Sequence, residues 1–195
     1  MKVPFINRRN TRAGLAVMLS CLLPVTVSHG LTLEELRRVP EMTPKKFAGY
    51  FKDFEFRFMG RLQEPDEFLL SRSGDCDDYA VVADLVLRPR GYDTRLVGIQ
   101  MVGRAHMVCY VINDKVYLDY NNRQVFLNLT RCDASLRAVA TRVARSLNAN
   151  WTTATEYTYL GARQLRAMVT VVKTEPAAQD PGFSKRPAGG IQVDF

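Results

Sequence analysis

Apolar positions along the chain recur with two different periods, and the changes of period mark its elements. Thr32-Leu33-Glu34-Glu35 has capping-box spacing and predicts a short helix to Val39. Thr43-Pro44 predicts a second, because proline at the first helical position gives up an N–H that no helix bond needs. Phe47, Tyr50, Phe51 and Phe54 fall at helical spacing, whereas Phe54, Phe56 and Phe58 alternate as in a strand. The helix is therefore expected to reach about Lys52 and a short strand to run to Met59, with these aromatics in the core. Pro65-Asp66-Glu67 opens another short helix, broken near Ser73-Gly74. From Asp75 to Arg88 the pattern is again helical: acids crowd the N-terminus, where the macrodipole favours them, and Pro89 and Gly91 close the far end.

Three strand-like runs follow, Thr94 to Val102, Ala105 to Ile112 and Lys115 to Tyr120, with turns at Gly103-Arg104 and Asn113-Asp114. A further strand is expected from Gln124 to Leu129. Asp133 or Ser135 caps a helix to about Leu147, with Leu136, Val139, Val143 and Leu147 on one face. Extended runs at Thr155 to Leu160 and Leu165 to Lys173 complete the folded part. From Thr174 onward Pro, Gly, Ala and charge replace periodicity, so a mobile tail over 174–195 is expected. Helices followed by a meander predict the α+β class.

Charge alters this picture less than the totals suggest. The 195 residues carry a formal net charge of +7, but the first thirty contribute Lys2, Arg8, Arg9 and Arg12 and no acid. What remains is 23 basic against 20 acidic residues, too even for a nucleic-acid partner. The same thirty residues have a basic start, an apolar stretch from Ala13 to Val27 and small residues around Ser28 and Gly30. These are the parts of a secretory signal. Its apolar stretch is shorter than the ~20 residues a bilayer span needs, so cleavage near Gly30 is expected, with an uncleaved anchor as the alternative. The expectation is an exported protein, periplasmic or extracellular, without a stable membrane span and of unspecified oligomeric state.

Cleavage would leave one histidine, His106, and three cysteines, Cys76, Cys109 and Cys132. An odd number leaves at least one thiol unpaired within a monomer. A Cys109–Cys132 disulfide would single out Cys76. One histidine and no Cys-x-x-Cys do not make a zinc site.

The chemistry concentrates in Gly74-Asp75-Cys76-Asp77-Asp78-Tyr79-Ala80, followed by His106 and Asp119. A cysteine in the first turn of a helix meets free N–H groups and the positive dipole end, which favour the thiolate nucleophile. Gly74 would let a substrate backbone approach. Three neighbouring aspartates oppose the thiolate, so an imidazolium, carboxylate pairing or a cation has to offset them. A two-residue loop at Asn113-Asp114 pairs Ile112 with Lys115, Val108 with Asp119 and His106 with Asn121. Asp119 then becomes the diagonal neighbour of His106 on one face. That suits a carboxylate orienting an imidazole, with Asn121 as the alternative orienter.

The cysteine run, the Gly91 turn, Ala105-His106-Met107-Val108 and Leu118-Asp119 together resemble the transglutaminase-like superfamily. Within it they are most similar to the bacterial transglutaminase-like cysteine proteinases, whose cysteine motif is also preceded by a Pro-x-Glu segment, here Pro65-Asp66-Glu67. The likeness covers about Phe58 to Asn122. It implies a papain-like fold over residues 31–173, with the nucleophile at a helix N-terminus packed on an antiparallel sheet. It also implies a Cys76–His106–Asp119 triad that hydrolyses a peptide or amide bond of a protein or peptide substrate through a thioester. No cofactor is required, though Asp75 and Asp77 would hold the calcium that some members bind. Two departures stand out: the only tryptophan is Trp151, not one before the proline segment, and no side-chain oxyanion donor is evident beyond the candidate Gln63. Acyl transfer to an amine on the same triad, and a non-catalytic binding module of the same fold, are the alternatives.

Overall fold

A computed structural model of the chain describes residues 30–121 and 130–174. The signal segment, the strand expected at 124–129 and the tail beyond Thr174 lie outside the described residues. The elements are α1 (Leu33–Arg38), α2 (Pro44–Gly49), β1 (Glu55–Phe56), α3 (Pro65–Ser71), β2 (Ser73–Gly74), α4 (Cys76–Leu87), β3 (Thr94–Met101), β4 (Arg104–Val111), β5 (Val116–Leu118), β6 (Thr130–Arg131), α5 (Leu136–Ser146), β7 (Trp151–Gly161) and β8 (Gln164–Val172). The class is mixed helix and sheet, as expected. No helix among the described residues is long and apolar enough to cross a membrane.

Local chemistry explains most boundaries. Thr32 and Glu35 form the capping box of α1, Thr43 caps α2 ahead of Pro44, and Ser135, not Asp133, caps α5. The aromatic run behaves differently from its pattern. Helix α2 stops at Gly49, and only Glu55 and Phe56 form a strand, paired in parallel with Ser73 and Gly74. Phe47, Phe51 and Phe54 are core, but Phe56 and Phe58 are 55% and 78% exposed. The alternation of Phe54, Phe56 and Phe58 was therefore not that of a half-buried strand.

Six strands form one antiparallel sheet in the order β6-β5-β4-β3-β7-β8. One core unites α1 to α4 with Leu96, Met107, Cys109, Val111 and Leu118. A second puts Leu136, Val139 and Val143 of α5 against Val97, Ile99, Val108, Tyr110 and Trp151. The sheet is thus covered on both faces, and β3 and β4 alternate between the two cores. Each large side chain buried this way contributes about 1.5–3 kcal/mol. The β4–β5 pairs are Cys109↔Leu118, Tyr110↔Tyr117 and Val111↔Val116. That is the register a turn at Asn113-Asp114 requires, closed by the Lys115 N–H on the Ile112 carbonyl at 3.2 Å. All three cysteines of the described residues are free thiols, so Cys109 and Cys132 are not bonded to each other.

Candidate active site

Helix α4 starts at Cys76, and its first turn is clamped from below. The Asp78 carboxylate accepts the Gln63 N–H at 2.7 Å, the Gln63 Nε2 amide at 2.8 Å and the Asp75 N–H at 3.1 Å. The second hydrogen of Gln63 Nε2 goes to the Ser73 carbonyl at 3.0 Å. Both Gln63 and Asp78 are 2% exposed. With each amide hydrogen already bonded inside the protein, Gln63 has none left for an oxyanion, and its expected donor role gives way to a structural one. Gly74 is also reassigned. A Cβ there would lie 2.5 Å from Asp78 Oδ2 and Gln63 Nε2 and 2.6 Å from the Phe68 ring. The glycine makes room for this brace, not for a substrate backbone.

The histidine and the acid meet as the register requires. His106 Nε2 lies 2.9 Å from Asp119 Oδ1, both side chains buried. The Asn121 N–H donates to the same carboxylate oxygen at 2.9 Å while its own side chain is exposed. Asn121 therefore holds Asp119 through its backbone, and Asp119 alone of the two meets the ring. The Cys76 thiol lies near enough to the His106 side chain to act on its protonation. With Nε2 given to Asp119, Nδ1 is the nitrogen left to face the thiol. Burial works to lower the His106 pKa, but hydrogen bonds and charge from Asp119 and Cys76 outweigh it and push it up to about 10. The ring is thus held as an imidazolium at neutral pH.

The flanking acids have separate surroundings. Asp75 caps α4, and its Oδ2 accepts the Met59 N–H at 3.2 Å. Its Oδ1 is buried without a hydrogen-bond donor among the described residues. Burial, then the adjacent Asp75 carboxylate, push Asp77 up to about 8, so the two are close enough to share a proton. Oxygen atoms of Asp75, Asp77 and Asp78 lie within 4.8 Å of one another. Asp78 is spent on Gln63 and Asp75, and Asp77 Oδ1 accepts the Asp78 N–H at 2.7 Å, which leaves Asp75 Oδ1 and Asp77 Oδ2 as the oxygens free for a cation. Hard carboxylate oxygens in that position fit calcium in kind.

No protein-family model matches the chain, and no curated protein matches it. Among solved structures it is similar to calcium-bound LapG of Legionella pneumophila. The identity is 16%, covering 69% of this chain and 73% of that one, with a TM-score of 0.43. The functional reading therefore comes from the side chains themselves.

The Gln63–Asp78 brace is the part of the site that sequence reasoning missed. The Asp75-x-x-Asp78 spacing marks a capping box of two aspartates, but nothing in it points to Gln63.

Proposed function

We propose that the protein is a thiol hydrolase of peptide or amide bonds, with a papain-like arrangement of Cys76, His106 and Asp119. The observation that carries this reading is one buried imidazole bonded at 2.9 Å to Asp119 and raised in pKa by Asp119 and by the nearby thiol in the first turn of α4. Each residue has a bland explanation alone; a helix-start thiol, an imidazolium and an orienting carboxylate in sequence do not.

The Cys76 thiolate attacks the carbonyl carbon of the substrate, forming a C–S bond. The oxyanion faces the free N–H groups that open α4, the Cys76 N–H first among them. His106 gives its Nδ1 proton to the departing amine as the C–N bond breaks. Water then attacks the thioester, His106 accepts a proton from it, and the acid leaves with the thiolate restored. Asp119 keeps the ring oriented throughout and favours its charged form before the first proton transfer and after the second. Asp75 and Asp77 are the residues that would hold calcium, which would neutralise the carboxylates flanking the thiol. Export to the periplasm or cell exterior, with a protein or peptide as substrate, belongs to the same proposal.

The test is the rate of Cys76 alkylation by iodoacetamide against pH, in the wild type and in His106→Ala. Rapid reaction at pH 6–7 that disappears in His106→Ala is the expected result. An inert Cys76, or one indifferent to His106, would overturn the triad.

A further inference from the structure

The even overall charge conceals a segregation. Residues 31–93 contain 13 acids and 10 bases, whereas residues 94–173 contain 11 bases and 4 acids. Part of that surplus lies on the face of the sheet covered by α5, the opposite side from α4. There a cavity of about 340 Å³ is bounded by the end of α5, the start of β7 and Lys173. Arg145, Asn148, Asn150 and Lys173 line it, and Trp151 forms part of its wall. The Arg137 guanidinium lies 5.7 Å and the Lys173 ammonium 6.0 Å from the centre of the Trp151 ring.

None of the ion pairs among the described residues involves Arg137, Arg145 or Lys173. Their fixed contacts are neutral: Arg137 donates to the Val172 carbonyl at 3.2 Å. A dipole argument accounts for Arg145 alone, since cations are favoured in the last turn of a helix. It does not account for Arg137, in the first turn, or for Lys173, just past β8. Two cations, Arg145 and Lys173, line the cavity with no carboxylate among its lining residues, beside two side-chain amides that can also donate. Arg137 lies against the Trp151 wall, and together they suit a compact multivalent anion. Guanidinium forks and an ammonium suit the oxygens of a phosphate.

We propose that this cavity binds a phosphate group, supplied either by a soluble phosphate compound or by an anionic lipid headgroup. The site is separate from the thiol and does not depend on the hydrolase reading. Trp151 is the chain's only tryptophan, so its fluorescence reports this cavity and nothing else. The experiment titrates the whole chain with inorganic phosphate, with phosphatidylglycerol vesicles and with neutral phosphatidylcholine vesicles. The expected result is a saturable change in Trp151 emission. It should weaken about tenfold or more in the double variant Arg145→Gln, Lys173→Gln, and also weaken as salt rises from about 50 to about 200 mM. Lys115→Gln, a cation on the β4–β5 turn, should bind like the wild type and serves as the control for general charge.

A response to phosphate itself assigns a soluble ligand; a response to phosphatidylglycerol vesicles alone assigns a headgroup. The proposal is overturned if neither moves the emission, if the double variant, folded by circular dichroism, binds as tightly as the wild type, or if polyglutamate binds more tightly than either phosphate source.

Discussion

Replacing Asp119 with Asn removes the charge that keeps His106 protonated while leaving a side chain of the same size. In the wild type the buried ring is held up to about 10 against its ordinary 6.5, with Asp119 and Cys76 opposing the burial penalty. Without the carboxylate at 2.9 Å, burial becomes the dominant influence, and His106 should titrate at or below 6.5. At about 1.4 kcal/mol per tenfold change in proton affinity, the fall corresponds to ~5 kcal/mol of lost preference for the imidazolium. The folded protein binds this proton more tightly than the unfolded chain does. Its contribution to wild-type stability is therefore whole below about pH 6.5 and is lost as pH rises through about 10. The assay is an NMR titration of the imidazole C2 proton, assigned with His106→Ala, together with urea unfolding at pH 6 and pH 10. A wild-type His106 that titrates near 6.5, or one that still titrates above about 9 in Asp119→Asn, would refute the reasoning.

Gly74→Ala should cost about 3–5 kcal/mol in urea unfolding, because the new methyl must displace either Phe68 or the Gln63–Asp78 bonds; a cost under about 1 kcal/mol would mean the brace yields freely. Calcium bound by Asp75 and Asp77 must displace the proton that Asp77 holds until about pH 8. Affinity should therefore rise from pH 6 to pH 8 with proton release, read as a buffer-dependent enthalpy in calorimetry, and Asp77→Asn should abolish it.

Where periodicity had a local cause, the chain was legible. The caps at Thr32, Thr43 and Ser135 act within four residues, so their helices begin where the side chains say they must. The β4–β5 register was legible for a similar reason: a tight turn leaves few alternatives, and the pairing of Cys109 with Leu118 carries His106 and Asp119 to the same place. Phe56 and Phe58 were misleading because alternation records a side chain's direction, not what lies there. The partner of β1 is β2, eighteen residues ahead, and a parallel pair of two residues leaves no period to detect. Gln63 was opaque for the same kind of reason. Its role depends on a carboxylate fifteen positions away and on a glycine between them, and no spacing rule connects the three.

Three aspartates within two residues of the Cys76 thiol look like an electrostatic error, and the structure gives each a different state. Asp78 is turned under the helix, where Gln63 and the Asp75 N–H occupy its oxygens. Asp77 is raised to about 8, so at neutral pH it carries a proton and adds little negative charge next to Cys76. Asp75 spends one oxygen on the Met59 N–H. Two carboxylates are then left near the thiol, Asp75 and the hydrogen-bonded Asp78, set against the imidazolium of His106. A cation between Asp75 and Asp77 would replace a proton, not a vacancy. Calcium should accordingly act on this site as a substitute for acidity, with its largest effect on Cys76 reactivity above about pH 8, where Asp77 would otherwise ionise.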